Sequence, residues 1–423
     1  MSIIIVHTLY LYLAILFIKR EYIYFIFLYP ILFHLNLDYL FGIDTQLFGI
    51  IDMAELNAIL MLILLANQIT TVRFDNRLKY YQRTAMTYII ICMLFDLFYS
   101  VRIPFISDMH FLDQGGIYRR TLRQSMYALA FFILIKRMNQ KNILEALNYS
   151  FVVFAIFFSA ATLFVKSVEQ TEFSISMSTI TTDRTIGIFR GGDENVLASL
   201  LSMIFGYFLA NLENNRRHYI YYIAMFFILI GLINTGSRGG LLSLFVVMIL
   251  FVFRNPTDSL FEKAFIFIIV GVSLFTLGDM IIGRLLLQTS DLYGKESARY
   301  YGLYSRLFKW FAYMTDFFSD WNNIWVGKLS SKPSWMRYSP HNVFIKILYF
   351  GGVAFLIPFL LNIRSLFKLD NSQNKYSFSL IYILIPFIGM YMELNTVFYF
   401  TLPIFVMMSF GIFNFNEKKL VKY

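Results

Sequence analysis

The feature that most constrains this chain is a succession of apolar runs, each near the length of a membrane-crossing helix, separated by short charged segments. A bilayer core of about 30 Å asks for roughly 20 helical residues. Runs of that kind fall near 2–18, 22–37, 48–67, 84–101, 121–136, 147–166, 195–213, 218–234, 239–253, 264–283, 342–362, 376–393 and 396–414. That is thirteen, or twelve if the short, close pair 2–18 and 22–37 counts once. The expected fold is therefore all-α: one polytopic helix bundle over residues 1–423, with a long loop at 284–341 that contains short helices.

Composition agrees. The chain is 58% hydrophobic and 15% charged, where soluble domains carry about 25% charged residues, and mean hydropathy is +0.62. No stretch is polar enough, for long enough, to form a soluble domain. The single cysteine, Cys92, lies in an apolar run and rules out a disulfide within the chain. The start MSIIIVHTLY lacks the basic region and cleavage site of a secretory signal, so the first helix is expected to stay.

A net charge of +10 raises nucleic acid as a partner, but the basic residues are dispersed between apolar runs. They sort instead by topology. The segments KRE, VRFDNRLKYYQR, KRMNQK, NNRRH and RNPTDSLFEK, the stretch from Arg364 to Lys375 and the tail EKKLVKY hold 19 of the 36 Lys and Arg. The positive-inside rule puts this set, with the C-terminus, in the cytoplasm. The alternate set faces outward: NLDYLFGIDTQ, 102–120, 167–194, NTGSRGG and 284–341. Eight basic residues lie between Arg284 and Arg337. Long loops translocate regardless of charge, though a cationic surface also suits an anionic substrate. Within this loop SRLFKWFAYMTDFF reads as a helix lying on the membrane surface.

Four outward constellations bear chemistry. Asn234-Thr235-Gly236-Ser237-Arg238-Gly239-Gly240 offers glycines that permit a tight turn and close approach to a ligand, a following helix N-terminus suited to anions, and a planar guanidinium suited to phosphate. A plain helix hairpin with an arginine reaching to water fits the same residues. Ser339-Pro340-His341-Asn342 opens a span; the histidine there is a base of the right pKa, or a helix cap. Asp183 to Asn195 (DRTIGIFRGGDEN) ends in ordinary helix-start residues, a job that needs neither Arg184 nor Arg190. Arg306, four residues ahead of Trp310, is by itself the polar face of an amphipathic helix. Phosphate-binding loops, HExxH, CxxC, Gly-x-Ser-x-Gly and Asp-x-Asp are all absent, and no outward cluster has metal-ligand spacing.

In order, the strings DRTIGIFRGGDENVLA, TGSRGGLL, SRLFKW, WVGK and SPHNVFIKILYFGG resemble the O-antigen polymerase and O-antigen ligase superfamily of bacterial membrane proteins. The likeness covers residues 183–360; elsewhere it is one of helix-rich architecture only. It implies a metal-independent glycosyltransferase without cofactor in the bacterial inner or plasma membrane, acting at its outer face on a glycan carried by undecaprenyl pyrophosphate. It gives Arg184, Arg238 and Arg306 the pyrophosphate and His341 the catalytic base, with Arg190 and Asn342 as further substrate-binding candidates. A chain-length regulator protein is a possible partner. Two departures disfavour the ligase branch: Gly352 is followed by Phe355 where that pattern has a second glycine, and Asp193-Glu194 replaces Asn-Pro. A repeat-unit polymerase is therefore the expected activity, ahead of a ligase to lipid A core or protein, and of a transporter or flippase, whose ionisable groups belong nearer the midplane.

Overall fold

The computed structural model describes residues 22–34, 46–47, 51–52, 140–164, 194–213, 219–254, 303–328, 340, 342–368 and 380–393, together with scattered helical positions (12, 15, 16, 83, 87, 90, 91, 94, 268, 271, 405, 407 and 408). Nine helices stand out among them: α1 Tyr22–His34, α2 Gln140–Phe164, α3 Glu194–Glu213, α4 Tyr219–Thr235, α5 Arg238–Arg254, α6 Leu303–Phe317, α7 Asn322–Val326, α8 Val343–Lys368 and α9 Ile381–Glu393. A minimal antiparallel ladder pairs β1 (Gln46–Leu47) with β2 (Ile51–Asp52).

The stretches 145–163, 195–212 and 343–361, in α2, α3 and α8, are long and apolar enough to cross a membrane, and α4, α5 and α9 are shorter apolar helices. Their exposed surfaces are apolar too. On α2, Tyr149, Val153 and Phe157 are exposed at four-residue spacing, and Ile223 and Phe226 are exposed on α4. Four-residue spacing makes one helical stripe, and water would penalise such stripes on so many helices, whereas hydrocarbon does not. The chain is a multi-pass membrane protein.

α3 is the hub. Every residue from Val196 to Leu212 is buried, as expected of a helix that is apolar all round. Helices in lipid gain little from hiding apolar surface from one another, so close packing at small residues and interhelical hydrogen bonds carry association. Gly206 lies against the Tyr382 carbonyl of α9, and Gly240 of α5 against Ala198. Ser202 Oγ donates to the carbonyls of Ala198 and Gly240, each at 2.9 Å. Tyr207 donates to Asn148 Oδ1 of α2 at 2.6 Å. α2 in turn receives α1, where Ser150 Oγ donates to the Phe27 carbonyl at 2.7 Å, and α4, where Gly231 meets Ser159.

The spans expected at 195–213, 218–234 and 239–253 match α3, α4 and α5 within a residue. Other bounds need correction. The span read as 48–67 cannot start at 48, because 51–52 pair as a strand. The run 147–166 belongs to a helix that begins at Gln140: polar Gln140, Lys141 and Asn142 extend the helix past its apolar part. α8 runs past 362 to Lys368 for the same reason; of the span expected at 376–393, α9 covers Ile381–Glu393, and 376–379 lie outside the described residues. The expected spans 2–18, 84–101, 264–283 and 396–414 keep only scattered described positions; 121–136 lies outside the described residues.

Candidate functional site

Backbone rules fix the first half of the site. α4 ends at Gly236, whose φ of 60° lies in the left-handed region that suits glycine; its N–H returns to the Ile233 carbonyl at 3.1 Å. The next residue, Ser237, starts α5 as its N-cap: the Gly240 N–H donates to Ser237 Oγ at 3.3 Å, the usual satisfaction of an orphan helix donor. Ser237 Oγ itself donates to Asn195 Oδ1 at 2.9 Å. The turn NTGSRGG and the start of α3 are thereby held together. Beside them, Asn234 Nδ2 donates to Thr162 Oγ1 at 3.1 Å, and Thr162 donates to the Ser159 carbonyl at 2.7 Å. One polar contact thus joins the starts of α3 and α5, and another joins the ends of α2 and α4.

The glycines of this turn divide their work differently from the sequence expectation. Gly236 makes the turn, but Gly240 is occupied by helix packing: a Cβ there would meet the Ala198 Cβ at 2.6 Å. Close approach of α5 to α3, rather than to a ligand, is what its missing side chain permits.

The second half joins the long loop to α8. Trp310 Nε1 donates to the Pro340 carbonyl at 2.7 Å, so SRLFKW meets SPHN. Asn342 caps α8, its Oδ1 accepting from the Ile345 N–H at 3.1 Å, and it is buried. The strings WVGK and FGG also meet. The Lys328 N–H donates to the Tyr349 carbonyl at 2.8 Å, and Gly327 and Gly352 face each other across backbone, with φ of 71° and 64°. At Gly352 (ψ −164°) α8 kinks.

Below that joint Ala312, Tyr313, Phe317 and Tyr349 form a small core, with the Tyr313 and Tyr349 rings edge-on at 4.9 Å. Burial pushes the Tyr313 hydroxyl above its usual range. Tyr349 donates to Asp316 Oδ2 at 2.5 Å, and Lys328 Nζ pairs with Asp316 Oδ1 at 3.3 Å. Sequence reasoning missed this triad, since nothing in the spacing of 316, 328 and 349 announces it.

Of the expected site residues, Arg238 and Arg306 are placed as helix positions, in the first turns of α5 and α6. Arg238 directly follows the Ser237 that bonds Asn195. Arg306 stands one turn before Trp310 in α6. Arg184, Arg190 and His341 lie outside the described residues, between or beside described neighbours. The structure joins the motifs in two groups: 195 with 237, and 310 with 340 together with 327–328 against 349–352. Among the described residues no three His, Cys, Asp or Glu come together as a metal site. No known protein-family model matches the chain, and no curated protein does either.

Proposed function

We propose that this protein polymerises lipid-linked oligosaccharide repeat units, with its site on the outer face of a bacterial inner or plasma membrane and its C-terminus in the cytoplasm, in a bundle of twelve or thirteen spans. One observation supports the reading above others: residues far apart in sequence, singled out as a set by resemblance, meet in pairs through short hydrogen bonds, Ser237 with Asn195 and Trp310 with Pro340.

In this reading Arg184, Arg238 and Arg306 hold the pyrophosphate of the growing, carrier-linked chain, with Arg190 and Asn342 beside it. The acceptor is a sugar hydroxyl of a fresh lipid-linked unit. His341 takes the proton as that hydroxyl attacks the anomeric carbon; the bond from carbon to pyrophosphate oxygen breaks, and its electron pair leaves with the lipid pyrophosphate. The charge that grows there is met by fixed guanidinium donors, which act strongly where water is scarce. The start of α5 adds backbone N–H groups of the kind that favour anions.

The test is the glycan profile of a deletion strain complemented with Arg238→Ala or His341→Ala. Capped single repeat units, with the variants present at normal level, are expected. Full-length polymer from either variant removes that residue from the site. Polymer stalled on its lipid carrier makes the protein a ligase, and repeat units trapped on the cytoplasmic side make it a flippase.

A further inference from the structure

The hairpin of α6 and α7 covers one side of α8, and the length of α8 fixes where that hairpin sits. The candidate span Val343–Leu361 has 19 residues, about 28 Å at 1.5 Å per residue, close to a hydrocarbon core of about 30 Å. The part beyond the Gly352 kink cannot cross alone. From Val353 to Ile363, ahead of exposed Arg364, it measures about 16 Å. The half before the kink must therefore lie in the bilayer as well. α8 carries no charged residue between Lys346 and Arg364, so these two bracket its apolar length.

The hairpin is bonded by its backbone to α8 at 349–352, through Lys328 N–H to the Tyr349 carbonyl and the Gly327–Gly352 contact. That level is one to two turns beyond Lys346, about 5–9 Å into the apolar length.

A second observation agrees. Past the kink, α8 exposes Ile357, Leu360 and Leu361. Before the kink none of its residues from Val343 to Gly351 is exposed, and the hairpin packs on Ile345, Leu348 and Tyr349 there. The hairpin's own outer surface carries Phe311 (71% exposed), Phe318 (58%), Trp321 (81%), Trp325 (65%) and Val326 (45%). These five large apolar side chains share the hairpin's exposed surface with Thr315, Ser319, Asp320 and Asn322. Of the hairpin's charges, Asp316 is met by Lys328 and Tyr349, Lys309 is half-buried, and Asp320, exposed at the tip where it accepts the Asn322 N–H, belongs at the headgroup level.

We infer that the 303–328 hairpin is sunk into the leaflet on the side of the α8 N-terminus, and that Phe311, Phe318, Trp321 and Trp325 pack against lipid acyl chains just beneath the headgroups. Tryptophan favours this zone, and interfacial helices bury their apolar face about 5–10 Å. The inference rests on α8 crossing a bilayer, and not on the glycan reading.

The test uses the full chain in phosphatidylcholine nanodiscs. The protein has four tryptophans; the W310F/W335F variant, excited at wavelengths that tyrosine does not absorb, leaves Trp321 and Trp325 as the only emitters. Lipids brominated near the carbonyl end of their chains are expected to cut that emission roughly twofold, while aqueous iodide leaves most of it. Since W310F removes the bond to Pro340, the same quantity is also read as the difference between the wild type and W321F/W325F. Strong iodide quenching with no effect of brominated lipid overturns the proposal. So does protection from both quenchers, which marks a protein-covered surface.

Discussion

The α3 bundle and the α6–α8 unit are built by different means within one chain. Around α3, association comes from absent side chains and hydroxyls: Gly206 on a carbonyl of α9, Gly240 on Ala198, Ser202 shared between two carbonyls. Around α8, it comes from bulk and charge: a four-residue core with three aromatic rings, an ion pair, and two glycines that admit backbone to backbone. The first kind suits helices that lie flank to flank in lipid, where the hydrophobic effect offers little and close approach decides. The second suits a short hairpin that must grip the side of a single helix, with few contacts and hence a strong anchor for each.

If that distinction is right, filling a glycine of the bundle has the largest effect. Gly206→Leu drives a side chain into the Tyr382 backbone of α9, and overpacking of this kind costs about 3 kcal/mol; a large fall in the detergent melting temperature or in folded yield is expected. Gly352→Ala comes next. It sets a Cβ at a φ of 64° and against the Trp325 carbonyl, at a cost of about 2 kcal/mol. The expected change is local: faster proteolytic cleavage within 303–328 while the bundle melts as before. A global melt shift from this variant breaks the comparison, because the two regions then unfold as one.

Ser237→Ala removes an N-cap and its bond to Asn195, worth about 1 kcal/mol. Activity in the complemented strain is expected to fall further than stability does, since Arg238 follows directly. Equal losses of both reduce Ser237 to a structural cap. Ser202→Ala is the mildest change. Interhelical hydrogen bonds in membranes average about 0.6 kcal/mol, so a small melt shift and unchanged polymer are expected; a loss comparable to Gly206→Leu means the hydroxyls, rather than the close approach, hold α5 to α3.

Much of the bundle was legible in the chain because apolar length is a one-dimensional signal. It located α3, α4 and α5 within a residue. It failed where the helix and the apolar run part company, as at Gln140 and Lys368, where polar turns continue past the hydrocarbon. It also failed at Ile51–Asp52, where a short pairing with 46–47 interrupts an apolar run. At the site, residue identity pointed to Ser237, Trp310 and Pro340 only as members of strings; which string meets which is a matter of three-dimensional packing. The Asp316–Lys328–Tyr349 triad and the Gly327–Gly352 joint were illegible for the same reason. The stretch SRLFKWFAYMTDFF does form a helix, α6, but the two most telling tryptophans lie beyond it, Trp321 just ahead of α7 and Trp325 within it.

The burial of α3 also bears on how the molecule is made. A helix with no lipid-facing side cannot rest alone once it leaves the insertion machinery. α2 precedes it, while α4 and α5 follow at once and cover two flanks. The flank at Gly206 must wait for Tyr382, which is synthesised near the end of the chain. Until then a bare groove faces lipid or a chaperone. Chains truncated before α9 carry that groove permanently, and membrane quality control has a defined surface by which to recognise them.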